Sequence, residues 1–175
     1  IGTIADVVDL RGENRVLTHY GLRAVADSNI LGLRALIQTA GLAGQEIDSY
    51  AIAFRLGPML NAAGRMGHAR LAVELLTSGN ELNCVKIAEY LKNQNTLRQK
   101  TEKEIARQAK EMAQARGLDH PENKTVVLAG SAWHTGVIGI VASRVVERFY
   151  RPTILINADG EPAQGSGRSI PGFNM

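Results

Sequence analysis

The sequence predicts an α/β chain: small helices first, one long helix in the middle, and a strand–helix–strand unit towards the end. Three observations predict it. Apolar residues recur at helical spacing in the first 80 or so positions, as at Leu33, Leu36, Ile37 and Ala40. A run from Asn80, a candidate N-cap, to about Arg116, with Gly117 as its stop, reads as one helix. Thr125-Val-Val-Leu-Ala129 reads as a buried strand, an apolar helix follows to about Tyr150, and Thr153-Ile-Leu-Ile156 reads as a second strand. That order predicts parallel pairing with a right-handed crossover.

The elements follow in order. Ile1-Gly-Thr-Ile-Ala5 is apolar and leads to Asp6 and Asp9. The helix through Leu33 and Ala40 has Gly41 as its C-terminal cap. Phe54-Arg-Leu-Gly-Pro58 is expected to end a short element, because proline disfavours helix in the residue before it. Ala69 to Leu76 is a short helix with Leu71, Leu75 and Leu76 expected inward, and Ser78-Gly-Asn80 breaks it. The long helix would span roughly 50 Å at about 1.5 Å per residue. Its first part carries an apolar stripe of Leu82, Val85, Ala88 and Leu91, and its last part Ile105, Ala109 and Met112. Between them, Lys92 to Glu104 holds only Leu97 as a large apolar side chain. A helix polar all round for several turns usually bridges two domains. A boundary is therefore placed on it, with the second domain proper starting near Asn123. In that domain Val137, Ile138, Val141, Val145 and Phe149 share one side of the helix, and Gly165-Ser-Gly-Arg-Ser169 falls in a turn or at a sheet edge.

Composition narrows the class. At 175 residues the chain is one domain or two small ones, and its 45% hydrophobic content can fill a core. With 5% aromatic residues that core is mostly aliphatic. The net charge of +3 is compatible with a nucleic-acid partner without identifying one. Cys84 is the only cysteine, which excludes an internal disulfide and a cysteine-based zinc site and points to the cytoplasm. No apolar run approaches the ~20 residues that span a bilayer, so no membrane partner is expected. Residue 1 is an Ile within an apolar stretch, and Met175 follows Pro171-Gly-Phe-Asn174 directly. The sequence reads as a segment of a longer protein.

Several constellations could carry chemistry. The turn Ser131-Ala-Trp-His-Thr-Gly136 lies between a strand and a helix, where backbone N–H groups and the helix dipole favour an anion such as phosphate. His134 either bonds a phosphate, holds a metal or moves a proton, or else is a structural histidine bonded to a nearby carbonyl. Trp133 either stacks on a base or belongs to the core. Gly165-Ser-Gly-Arg-Ser169 offers glycines for close backbone approach and Arg168 for bidentate phosphate binding, and otherwise is a surface turn. It lacks the Gly-Lys-Ser/Thr of a P-loop. Asn61 and Arg65, four residues apart, share a helix face, as a phosphate contact or as a solvated helix end. Asp6 and Asp9 suit a hard metal or a turn. Lys92, Arg98, Lys100, Lys103, Arg107 and Lys110 alternate with Glu102, Glu104 and Glu111, as a solvated face or a groove that tracks a nucleic-acid backbone.

Taken together, several segments resemble the RecJ single-strand exonuclease family of the DHH phosphoesterase superfamily. They are Gly2-Thr-Ile-Ala-Asp6-Val-Val, Gly12-Glu-Asn-Arg15, Tyr20-Gly-Leu-Arg23, Leu56-Gly-Pro-Met-Leu-Asn-Ala-Ala-Gly-Arg65 and Asn95-Thr-Leu-Arg-Gln99. They continue with Trp133-His-Thr-Gly-Val-Ile-Gly-Ile-Val-Ala-Ser-Arg144, Arg151-Pro and Gly165-Ser-Gly-Arg-Ser169, all in family order across nearly the whole chain.

The resemblance implies an organisation and an activity. Residues 1–80 would be the C-terminal part of the DHH metal-binding domain, 81–117 the interdomain helix, and 118–175 the N-terminal part of the DHH-associated substrate-binding domain. Asp6 would be a metal ligand for Mn²⁺ or Mg²⁺, the remaining ligands lying upstream. Arg65 and His134 would serve catalysis. Asn61, Arg65, Arg98, His134, Ser166, Gly167, Arg168 and Ser169 would hold DNA phosphates. The parent reaction would be 5′→3′ hydrolysis of single-stranded DNA in repair and recombination, with a single-strand-binding protein and a helicase as partners. The segment alone is not expected to cleave DNA. Two other readings stand beside this one: a relative acting on oligoribonucleotides or other small phosphoesters, and a non-catalytic nucleic-acid-binding module. The Arg-containing Gly-Ser-Gly-Arg-Ser169 motif and Asn61 to Arg65 favour the nuclease.

Overall fold

A computed structural model describes all residues, 1–175. The chain divides into two compact units, Ile1–Thr96 and Leu97–Met175. The division falls within one helix.

The first unit is helical. Its elements are α1 (Gly2–Ala5), α2 (Glu13–Ala26), α3 (Leu31–Thr39), α4 (Ser49–Ala51), a π-helical segment (Ile52–Leu56), α5 (Gly57–Arg65), α6 (Ala69–Thr77) and the first half of α7 (Glu81–Ala115). Leu36, Ile52, Leu56, Leu75, Ala88 and Leu91 are fully buried in its core. Two glycines let helices approach closely. A Cβ on Gly32 would stand 1.7 Å from the Leu75 carbonyl oxygen, so α3 packs on α6 only without one. A Cβ on Gly57 would meet the Ala5 Cβ at 2.8 Å, which seats α1 against the start of α5.

The apolar start of the chain is a helical turn, and Asp6 caps its end. Two expectations change in this unit. Pro58 does not end an element: the helix runs on through it. The preceding turn widens to a π-helix, in which the Gly57 N–H reaches the Ile52 carbonyl, and proline then stands in the first turn of α5, where its missing N–H costs little. Leu76 and Leu82 are exposed. The core instead takes Cys84 and Ile87 from α7, because α6 and α7 are rotated by part of a turn from the expected stripe.

Asn80 caps α7 as expected: its Oδ1 accepts from the Asn83 N–H at 3.0 Å.

The second unit holds the rest of α7, then β1 (Val126–Gly130), α8 (Thr135–Phe149), β2 (Thr153–Asn157) and β3 (Gln164–Arg168). The sheet order is β1-β2-β3. β1 and β2 pair in parallel, Leu128 opposite Leu155, and β3 runs antiparallel on the free edge of β2, Ser166 opposite Leu155. Since side chains alternate along a strand, Val126, Leu128, Thr153, Leu155, Ser166 and Arg168 share one face. The buried residues of α8, Val137, Ile138, Val141, Ala142 and Val145, pack against the apolar members of that face. Arg151 fixes the entry to β2 by donating to the carbonyls of Leu118 at 2.5 Å and Asp119 at 3.2 Å.

No helix is long and apolar enough to cross a membrane.

Candidate nucleic-acid interface

In the first unit, α5 presents Asn61 and Arg65 on one exposed face, while Ala62 and Ala63 between them are buried. Neither polar side chain makes a hydrogen bond or ion pair within the protein. The guanidinium of Arg65 therefore keeps its five donors for a partner outside. Asp6 is exposed just after α1. Asp9 is also exposed and forms a surface pair with Arg11 at 3.4 Å. No group of three or more His, Cys, Asp or Glu side chains is placed to hold a metal ion. One carboxylate does not make an octahedral Mn²⁺ or Mg²⁺ site, so the residues of this chain do not fit such an ion unaided. Asp6 can contribute a single ligand.

In the second unit several N–H groups of the turn after β1 and of the helix start are already bonded within the protein. The Ala132 N–H donates to Asp159 Oδ2 at 2.5 Å, which ties this turn to the one after β2. His134 is the N-cap of α8: its Nδ1 accepts from the Gly136 N–H at 3.1 Å. The Val137 N–H is also spent, on the His134 carbonyl at 2.9 Å. The helix start is thus less open to an anion than its dipole alone suggests. The contribution of His134 is different. With Nδ1 accepting, the neutral ring carries its proton on Nε2, which makes that atom a donor.

Trp133 is 1% exposed. Its ring lies over Gly130, where a Cβ would come within 2.3 Å, and its Nε1–H donates to Gln108 Oε1 at 2.8 Å. Of the two readings of Trp133, the core one holds: the indole is enclosed and its polar edge is already used there.

Gly165-Ser-Gly-Arg-Ser169 forms β3 and its end, not a free turn. Arg168 Nη1 donates to Ser166 Oγ at 3.1 Å and to the Gly167 carbonyl at 2.6 Å. Its other nitrogen lies against α8, where a Cβ on Gly139 would be 2.9 Å from Nη2 and from Ser166 Oγ. Gly139 is the reason this arginine can lie flat beside the helix. No carboxylate pairs with Arg168, and the residue is exposed. Ser169 Oγ is spent on the Phe173 carbonyl at 2.6 Å.

Arg98 is in a different state. Its Nη1 donates to Glu102 Oε2 at 2.8 Å, and its side chain is 14% exposed. Glu102 itself is 3% exposed, and its Oε1 pairs with Arg144 of α8. Sequence reasoning sets Glu102 on a solvated face. The i, i+4 pair with Arg98 is visible there, but the third member comes from another helix and no local pattern announces it. On the same helix Arg107 bridges Glu104 and Glu111 in full solvent; these hydrogen bonds hold the Glu104 carboxyl below the usual carboxylate range and raise the Arg107 pKa.

The chain is similar to known proteins over its whole length. It is 42% identical over 177 residues to the single-stranded-DNA-specific exonuclease RecJ of Bacillus subtilis, covering all of this chain and 22% of that protein. Crystal structures of RecJ from Thermus thermophilus in complex with Mn²⁺ and with Mg²⁺ match 99% of it at 35% identity, with TM-scores of 0.84 and 0.85. This chain covers 25% and 26% of those two chains. No protein-family model matches it. Along its whole length the chain is thus similar in sequence and fold to one stretch of RecJ exonucleases, and it spans about a quarter of the length of these three.

Proposed function

We propose that this chain is part of a metal-dependent exonuclease that hydrolyses single-stranded DNA from the 5′ end, and that its own share of the work is to grip the phosphate backbone. The observation that carries this reading is the contrast among its arginines. Arg65 and Arg168 stand exposed with no carboxylate to neutralise them, whereas Arg98 is held by Glu102. Exposed guanidinium groups without a carboxylate suit phosphate oxygens, which they bind in bidentate fashion.

In this reading Asn61 and Arg65 form one contact on α5, and Ser166, Gly167 and Arg168 another along β3, with Ser169 joining at its end through its backbone, since its hydroxyl is spent on Phe173. Ser166 holds the Arg168 fork in place, the Gly167 backbone admits close approach, and Nε2 of His134 donates to a phosphate oxygen. The arginines would stabilise charge that develops on the phosphorus oxygens. Asp6 would be one ligand of a catalytic Mn²⁺ or Mg²⁺, whose chemistry when bound is to activate water for in-line attack, with ligands that this chain does not contain. Residues 1–80 then belong to the DHH domain, 81–117 to the connecting helix, and 118–175 to the DHH-associated domain. The setting is cytoplasmic DNA repair and recombination, alongside a single-strand-binding protein and a helicase.

The test is digestion of end-labelled single-stranded DNA by the intact protein that carries this chain. Metal-dependent release of mononucleotides from the 5′ end, lost in Asp6→Ala, is expected. Attack from the 3′ end, or full activity after chelation, contradicts the reading.

A further inference from the structure

The Glu102 cluster joins two arginines to one carboxylate, so it carries one positive charge more than it cancels. Glu102 is 3% exposed and the Arg98 side chain 14%, so the pair they form is largely withdrawn from water. The Arg144 side chain is 55% exposed. One of its terminal nitrogens, Nη2, forms an ion pair with Oε1 of the buried carboxylate, and more than half of the side chain stays open to water.

A buried ionic cluster contributes little net stability, because the cost of desolvating its charges offsets their attraction. An apolar trio would join α7 to α8 at least as well. What the ionic cluster offers instead is an arginine on a rigid mount, aimed by a buried acid and left with uncompensated charge. Such a group loses little side-chain entropy when it takes an anion.

We infer that Arg144 is a further backbone-phosphate contact for single-stranded nucleic acid, and that Glu102 is the positioning residue that orients it. This rests on the single-strand-binding reading above. It adds a contact on α8 that is separate from Asn61, Arg65, His134 and the β3 residues, and it gives the buried acid a role beyond bracing two helices.

The test measures binding of the whole chain to a short labelled oligothymidylate across a salt series, for wild type, Arg144→Gln, Arg144→Lys, Glu102→Gln and Arg168→Ala. Each phosphate contact contributes about 0.7 to the slope of log Kd against log salt for single strands. Arg144→Gln is expected to lose that increment and to bind roughly tenfold more weakly at low salt, the scale of one charge-assisted hydrogen bond. Arg144→Lys keeps the slope, because it keeps the charge. Glu102→Gln is expected to weaken binding although it removes a negative charge, since the arginine is no longer aimed. If Arg144→Gln melts earlier yet leaves the slope unchanged, the cluster is only a brace and the inference fails. The same holds if Glu102→Gln binds more tightly. If Arg168→Ala lowers the slope and Arg144→Gln does not, this inference alone fails. If wild type shows no salt-dependent binding, the wider reading fails with it.

Discussion

The two halves of α7 are anchored in opposite ways. In the first unit Cys84, Ile87, Ala88 and Leu91 enter an apolar core, and no charged side chain of that half is buried. In the second unit Ile105, Ala109 and Ala113 are buried too, but beside them sits the carboxylate of Glu102 between two arginines. Apolar burial gives stability and little direction. A buried charge gives direction at some expense of stability. The second half of the helix is therefore shaped for more than holding the fold.

This asymmetry should respond most strongly to changes at Glu102. Glu102→Ala takes the carboxylate away from a mostly buried Arg98, and is expected to cost about 3–5 kcal/mol in urea unfolding. Replacing the trio together, Arg98→Met with Glu102→Leu and Arg144→Met, should recover most of that loss while nucleic-acid affinity stays low. A trio variant that binds as well as wild type would remove the distinction between the halves. Leu91→Ala, the apolar counterpart in the first half, should cost ~2–5 kcal/mol by the same measurement, with the salt slope of binding unchanged.

Smaller changes refine the contrast. Gly32→Ala forces α3 off the Leu75 carbonyl and should fall near the top of the ~1–3 kcal/mol range for overpacking. Trp133→Phe removes the hydrogen bond to Gln108 but keeps most of the ring, for a loss of about 1 kcal/mol seen as a lower melting temperature. Gly139→Ala meets only the flexible end of Arg168 and Ser166 Oγ, so stability should barely move while oligonucleotide binding weakens. Arg107→Ala should be nearly silent, because its two acids are solvated. The lowered Glu104 pKa means that whatever this pair contributes is present above the ordinary carboxylate range and fades as pH falls through it.

The element order is largely legible in the sequence because it rests on local rules. Asn80 and Gly117 bracket the long helix, and the strand–helix–strand pattern sets the parallel pair of β1 and β2. Misreadings arise where tertiary packing overrides those rules. Pro58 looks like a stop, but a π-turn moves it to a place where its missing N–H is harmless. Trp133 could be exposed or buried on sequence alone; Gly130 beneath it and Gln108 beside it decide for the core. Asn61, Arg65, His134 and Arg168 stand out in the sequence as candidates, but their states do not. That Arg65 is bare, Arg98 neutralised and His134 turned inward at Nδ1 depends on partners distant in sequence or on rotamers, and neither leaves a periodic trace.

Whether this chain grips a single-stranded phosphate backbone through arginines that no carboxylate neutralises is tested most directly by a salt titration. It compares oligothymidylate binding by wild type and by the double variant Arg65→Ala with Arg168→Ala. The slope of log Kd against log salt is predicted to fall by about 1.4 in the double variant, the increment of two single-strand phosphates, with unchanged melting. A wild-type slope near zero, or a double variant that binds with the wild-type slope, would contradict it.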